Sequence, residues 1–466
     1  MKGNRVVFGA WARSQSGRAM RRGAALVVVV LVSQLVGVAS AQAAPGDLDP
    51  TCDSDGKATT SIDMSRAVDG VAVQSDGKIV TVGDYEDNNP GTTGSNGYVV
   101  ARYLPGCVLD TTFGVAQTGK VIVVGRPTLN AVAIQPDQKI LVAGGDGDFF
   151  VARYNPDGTL DATFGKDGKA TTDVEGSVSV IGGGSIDMAR ALAVQPDGKI
   201  VLVGDVEVGF AAFRFGLVRY LPTGAIDPTF GTNGRVIGAI SGSSANYANA
   251  VAIQPDGKIV LAGQACLCSG AANFAFALVR YLPTGLVDPS FGSRGEVLTD
   301  FNFKILTQND TNPISSTRQD QDRAYGVALQ PDGKIVAVGA TGNGDFAVAN
   351  YNPDGSLNTG FNGDGRATTD MAAGSVDVAY ALAVQQDGKV VAAGGAGTGT
   401  GTAADFALVR YNTNGTLDTT FSGDGKLTTD FSGGEDAAYG LAVQANGRIV
   451  AAGQAAGHFA ISRYVG

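Results

Sequence analysis

His458 is the only histidine in the 466-residue chain. A metal centre with several His ligands is therefore excluded, and a Ser/His/acid triad would have to be assembled on this one side chain. No Gly-x-Ser-x-Gly elbow and no phosphate-binding glycine loop accompanies it. What recurs instead are carboxylates and phenols at fixed distances ahead of a repeated Gln. Eight residues before it stand Asp187, Asn246, Asp322, Asp377 and Asp436; five residues before it stand Asp69, Asn130, Arg190, Asn249, Tyr325, Tyr380 and Tyr439. Three Tyr with Asp nearby can make a platform for a sugar or an apolar ligand, the rings giving area and the carboxylates accepting hydrogen bonds. The competing reading is architectural: Asp caps the turn into a strand and Tyr fills space between repeated units. Carboxylate pairs could also cleave glycosides, as a polysaccharide hydrolase or lyase with Tyr at the same mouth, and sequence assigns no catalytic residue to that chemistry.

Other groupings carry less. Asp53-Ser54-Asp55-Gly56, Asp146-Gly147-Asp148 and Asn362-Gly363-Asp364-Gly365 look like fragments of oxygen-ligand calcium loops, but none completes the pattern with its closing Glu. They read as turns, with calcium kept as the one cofactor candidate and no other cofactor expected. The four Cys suit an oxidising compartment. Cys52 replaces a Phe found in the other repeats and Cys107 replaces a turn residue, which suggests a Cys52–Cys107 bridge between adjacent outer strands. Cys266 and Cys268 are then a local bridge, a free pair or a weak metal site, and three pairings stay open.

These residues sit in a repeat of about sixty residues. Leu48-Asp49, Leu109-Asp110, Leu160-Asp161, Ile226-Asp227, Val287-Asp288, Leu357-Asn358 and Leu417-Asp418 open seven copies. Each copy runs LDTTFG with a short GDGKLTTD-like stretch, then AVAIQPDG, then KIVLAG, then FALVRYLPTG. The Gln-Pro-Asp-Gly-Lys junction is hairpin chemistry: Pro presets φ, Asp bonds its own backbone and Gly accepts positive φ. Val- and Ile-rich strands, apolar on both faces, suit sheets packed between two neighbours. The expectation is an all-β, seven-bladed β-propeller with four antiparallel strands per blade, forming one domain over residues 44–466. AVAIQ is expected innermost, KIVLAG second, FALVRY third and LDTTFG outermost. A strand near Leu48 to Ser61 then completes the last blade and closes the ring.

A covariation links the outer hairpins. Six copies carry Arg before the third-strand Tyr and six carry Asp at the LD site, eight residues apart wherever the hairpin is continuous; in the one hairpin lacking Arg, Asn350 is followed by Asn358. The expected ion pairs are Arg102–Asp110, Arg153–Asp161, Arg219–Asp227, Arg280–Asp288, Arg410–Asp418 and, across the closure, Arg463–Asp49. Loop lengths then divide the two rims. The Arg-to-Asp spacing and the Gln-Pro-Asp-Gly-Lys turn never change length, whereas LD site to Gln varies from 25 to 42 residues and Gln to the third-strand Arg or Asn from 18 to 28. Variation confined to one rim of a rigid scaffold marks the face that carries recognition. Its longest connections are 174–188 and 302–322, with 85–97 and 263–273 behind them.

The first 43 residues read as a signal peptide, with Arg13, Arg18, Arg21 and Arg22 ahead of an apolar stretch and small residues at the cleavage site. They hold six of the 34 basic residues and none of the 44 acids, so the remainder carries 28 basic against 44 acidic residues, a net charge of −16. Such a surface repels nucleic acid and anionic lipid. The expected product is a monomer, secreted or held in the cell envelope, with no membrane span after cleavage and a glycan, peptide or envelope component as partner.

The runs LDTTFSGDGKLTTD, AVAIQPDGKIVLAG and FALVRYLPTG resemble the delta-60 repeat family, over about residues 48 to 466. The resemblance implies a bacterial exported β-propeller without an established common activity, and it supplies no catalytic residues. The strand order is also similar to that of NHL-type propellers, which implies a binding platform.

Overall fold

The computed structural model describes residues 43–466 apart from 63–64, 88–94, 126, 146, 176–186, 209–211, 267–273, 302–320, 398–403 and 432. The expected signal peptide, with Trp11, lies outside the described residues. So do most of the four long connections and Cys268.

Seven four-stranded antiparallel sheets form the seven blades. In blade 4 the inner strand is Ala245–Ile253, the second Ile259–Cys266, the third Phe274–Tyr281 and the outer Glu296–Thr299. Blades 1, 2, 3, 5 and 6 repeat this over residues 65–124, 128–172, 188–238, 323–369 and 377–429, and blade 7 takes three strands from residues 436–464. Second and third strands are buried on both faces because each sheet lies between two others. Val201 and Val203 of blade 3 enter the core shared with blade 4, while Ile200 and Leu202 enter the core shared with blade 2. Each such side chain contributes about 1.5–3 kcal/mol by burial.

The strand order matches the expectation, with one correction at the outer edge. The outermost strand is the run of four or five residues after LDTTFG, as in Lys426–Thr429, paired with Phe406 to Val409. LDTTFG itself is mostly turn. Leu417 makes a single bridge to Tyr411, and Asp418 Oδ1 accepts hydrogen bonds from the Thr420 amide at 3.1 Å and hydroxyl at 2.7 Å. An Asp that binds the backbone two residues on competes with the ladder and ends it.

Blade 7 is completed by Lys57–Thr60, which pairs in register with Phe459 to Ser462. Beside it, Arg463 Nε donates to Asp49 Oδ2 at 2.9 Å, and a Cys52–Cys107 disulfide ties the N-terminal turn to blade 1 with 4.9 Å between Cα atoms. The same interface elsewhere holds a Phe against a turn Gly, such as Phe230 under Gly285. Cys52 stands in the place of the Phe, and Cys107, at φ 63°, in the place of the Gly.

Five of the six outer-hairpin Arg, all but Arg410, also reach the next blade. Arg153 Nε donates to Asp161 Oδ2 at 2.7 Å while its Nη1 donates to the Pro222 carbonyl of blade 3 at 2.7 Å, and its guanidinium lies 4.6 Å from the Phe164 ring centre. Arg102, Arg219 and Arg280 repeat all three contacts, with Asp110, Asp227 and Asp288 and with Pro156, Pro283 and Pro353. Arg410 pairs with Asp418 at 2.8 Å, and Arg463 also bonds the Pro105 carbonyl. In blade 5, Asn358 Nδ2 donates to Asn350 Oδ1 at 2.9 Å. Thr413 then stands where the turns of blades 1 to 5 carry Pro.

Candidate functional site at the channel mouth

Every inner strand is irregular at one common level. The register with the second strand slips between Val68 and Gly70, Leu129 and Ala131, Ala189 and Ala191, Ala248 and Ala250, Ala324 and Gly326, Ala379 and Ala381, and Ala438 and Gly440. The residues skipped are Asp69, Asn130, Arg190, Asn249, Tyr325, Tyr380 and Tyr439. A β-bulge leaves its extra residue out of the ladder and re-aims its side chain. Seven bulges at one level therefore turn seven side chains onto a single central cavity of about 480 Å³. The next residues inward, among them Val71, Leu192, Val251 and Leu382, line it with an apolar tier. The ring lies two to four residues in from the start of each inner strand, at the end facing the variable connections.

A glycine opposite each bulge makes room for it. Gly83, Gly144, Gly204, Gly263, Gly339, Gly394 and Gly453 of the second strands each sit so close to an inner-strand carbonyl that an added Cβ would fall well under 3.0 Å from its oxygen. This strand-interior glycine was the sequence signal for the bulge, and the pattern reading passed over it.

The ring is chemically divided. Tyr325 and Tyr380 lie with ring centres 5.3 Å apart, and Tyr380 and Tyr439 4.9 Å apart, as an arc over blades 5 to 7. Burial, with Tyr439 and Tyr325 beside it, pushes the Tyr380 phenol up to about 12; burial and the Asp69 charge also raise Tyr439. Asn130 and Asn249 each brace the following blade, donating from Nδ2 to the Ala189 and Ala324 carbonyls at 2.8 Å. Arg190 Nε donates at 3.0 Å to Asp205, a buried carboxylate whose other oxygen accepts the Ala248 amide at 3.0 Å. Asp69 has a buried Oδ2 with no hydrogen-bond partner. Burial raises its carboxyl well above the ordinary range and the Asp84 charge raises it further, while Arg190 and a hydrogen bond from the Asp84 amide act in the opposite direction.

Asp187, Asp322, Asp377 and Asp436, expected on the ligand face with the ring, are not there. All four are fully buried, as is Asn246. They bind backbone amides of the preceding connection: Val174 to Asp187 at 3.2 Å, Phe301 to Asp322 at 2.7 Å, Met371 to Asp377 at 2.7 Å and Phe431 to Asp436 at 2.8 Å. They lie before the bulge, where the strand still turns that face to the interior, and they cap the entry into the strand.

The calcium-loop fragments are turns where described. Asp55 Oδ1 accepts the Lys57 amide at 2.9 Å, and Asp364 pairs with Arg366 at 2.8 Å; Asp146 lies outside the described residues. Two other groups could hold a hard cation. Asp345, Asp370 and Asp377, and one blade further on Asp405, Asp430 and Asp436, each bring three carboxylate oxygens within 4.8 Å of one another. Burial and the two neighbouring acids raise the Asp345 and Asp405 carboxyls. His458 opens the third strand of blade 7 and is exposed. Cys266 is buried and disulfide-bonded. No helix among the described residues is long and apolar enough to cross a membrane.

No curated protein matches the sequence. Three solved structures are similar in shape: a protein of unknown function from Dyadobacter fermentans (13% identity, 88% of this chain and 99% of that one, TM-score 0.43), the PQQ-bound aldose sugar dehydrogenase of Streptomyces coelicolor (14%, 73% and 95%, 0.40), and PorZ, a surface component of the type-IX secretion system of Porphyromonas gingivalis (10%, 91% and 47%, 0.42). A family model described as "Domain of unknown function (DUF5122) beta-propeller" matches residues 74–113, 135–164, 195–230, 254–291, 330–361 and 385–421. Each match begins at the Gln and ends at the Phe of the outer hairpin, so six of the seven repeats of this β-propeller are similar to that domain.

Proposed function

We propose that the chain is an exported scaffold that binds a glycan, a peptide or an envelope component at the channel mouth and the variable connections around it. The carrying observation is the ring of seven bulged residues, one from each blade, turned onto one cavity at the end that faces those connections. A bulge costs ladder hydrogen bonds, and packing alone gives no reason to repeat that cost at one level with different side chains. The basic, acid-free first 43 residues support export. A screen of glycans, peptides and envelope fractions tests the reading, run on wild type beside a Tyr325→Asn/Tyr380→Asn/Tyr439→Asn variant. Asn occupies the same position in blades 2 and 4, so the variant keeps a side chain the bulge accommodates. Binding by wild type alone supports the scaffold, whereas binding that survives in the variant places recognition elsewhere. Turnover of a bound polysaccharide would make the protein a hydrolase or lyase instead.

A further inference from the structure

We infer that the channel mouth takes an alkylammonium group, with Asp69 as its counter-ion and Tyr439, Tyr380 and Tyr325 as its wall. The inference rests on the reading of this cavity as a binding site and names the chemistry it would recognise. Four observations carry it.

Asp69 departs from the pattern of its equivalents. At Asn130 and Asn249 the same position donates a hydrogen bond to the next blade. Asp69 makes no such bond: its carboxyl accepts the Asp84 amide, and its Oδ2 is left buried without a partner. The unpartnered oxygen is open to a donor supplied by a ligand.

The neighbouring acid favours an incoming cation, which would draw Asp69 into its ionised form. Asp69 has Asp84 close enough to raise its carboxyl, and the one cation on the ring, Arg190, is bonded to Asp205 at 3.0 Å. An entering cation is opposed by that single, already paired guanidinium.

The aromatic arc begins beside the carboxylate. Asp69 is close enough to Tyr439 for its charge to raise the phenol, and Tyr380 and Tyr325 continue the arc. Aromatic faces attract cations through the ring quadrupole, most strongly when the ion is weakly hydrated and partly desolvated.

The tier beneath is apolar, with Val71, Leu382 and Leu441 lining the cavity below Asp69, Tyr380 and Tyr439. Alkyl groups on nitrogen find contact there, which a hydrated metal ion would not exploit.

The test is calorimetric titration of the protein at fixed ionic strength with tetramethylammonium, Nα-acetyl-lysine amide, calcium and, as the neutral match in size, tert-butanol. Wild type is compared with Asp69→Asn and Tyr439→Asn, both of which install a residue that this position already carries in blades 2 and 4. The expected result is binding of tetramethylammonium or the lysine amide, weakened at least tenfold in each variant, with no binding of tert-butanol. The better of the two cations distinguishes a quaternary amine from a basic peptide as the natural source. Equal affinity in Asp69→Asn, or binding of calcium without either ammonium, overturns the inference. A glycan whose binding is lost in the triple Tyr variant but unmoved by Asp69→Asn also overturns it, while leaving the channel mouth as a binding site. Loss of neither would overturn both.

Discussion

Gly394 faces the bulge that carries Tyr380, and a Cβ at Gly394 would collide with the carbonyl of Val378. The collision partner is backbone on both sides, so neither strand can yield without losing ladder bonds. Gly394→Ala is therefore expected to destabilise by about 1–3 kcal/mol or more through overpacking. Its neighbour supplies the control. A Cβ at Gly395 would meet the Ala437 Cβ at 3.3 Å and the Ala404 Cβ at 3.7 Å, and Gly395→Ala should cost under about 1 kcal/mol. Urea titration of both variants checks this, and equal losses would mean that the bulge is not what requires Gly394.

Arg463 and Asp49 join the two ends of the chain as a buried pair at 2.9 Å, with Arg448 and Thr51 also on the Asp49 carboxylate. Breaking a buried pair by removing one partner costs about 3–5 kcal/mol, because the other charge is left unpaired. Asp49→Ala, which strands the buried Arg463, should destabilise by that amount; Arg463→Ala should cost less because Arg448 stays on the Asp49 carboxylate, and the double variant should fall below the sum of the two. Additive losses in a double-mutant cycle would remove the pair from the closure.

The Cys52–Cys107 bridge ties the N-terminal turn beside that closure to blade 1, across a sequence separation of 55. Cys52→Ser should lower stability by about 2–4 kcal/mol. The loss should appear as a lower Tm in both oxidised and reduced samples, whereas wild type should fall to the variant's value only on reduction. A wild type indifferent to reductant would contradict a stabilising role for the bridge.

Acid should loosen the outer hairpins. Burial alone would raise Asp288 and Asp418, but it is outweighed by hydrogen bonds from Ser290 to Asp288 and from Thr420 and Lys389 to Asp418, with Arg280, Lys258 and Arg410 adding to them, and both settle at about 2, below the ordinary 3.8. Asp49, Asp110, Asp161 and Asp227 are lowered as well. A carboxylate held below its unfolded value contributes fully above about pH 4, and the contribution is lost as pH falls toward 2. Tm measured from pH 6 to pH 2 should drop across that window, and less steeply in Asp288→Asn. An identical slope in the variant would show that the loss arises elsewhere.

Much of this was legible in the sequence for a physical reason. Seven copies let each position be read seven times, so the blade count, the strand order and the closing strand followed from where the copies begin and stop. The eight-residue step from Arg410 to Asp418 is the length of a tight outer hairpin, and the structure pairs those two side chains at 2.8 Å. The second contact of the Arg was missed because it crosses to the next repeat; the joint loss of Arg at Asn350 and of Pro at Thr413 was its trace. The outer strand was set a few residues too early, since LDTTFG has strand-like composition but its Asp binds the local backbone. Asp187, Asp322, Asp377 and Asp436 were placed near the ligand by counting from the Gln. Simple alternation cannot carry a count across a bulge, and they belong to the buried side before it.

If the seven bulged residues form the binding surface, the Tyr arc is where a bound ligand must register. Fluorotyrosine NMR of the protein, with Tyr325, Tyr380 and Tyr439 assigned by single Phe substitutions, reads those rings during titration with whichever compound the binding screen returns. The account predicts that these three resonances shift together and saturate at the affinity measured by calorimetry, while Tyr103, Tyr281 and Tyr411, buried between blades, stay fixed. Saturable binding that leaves all three channel tyrosines unmoved would contradict it.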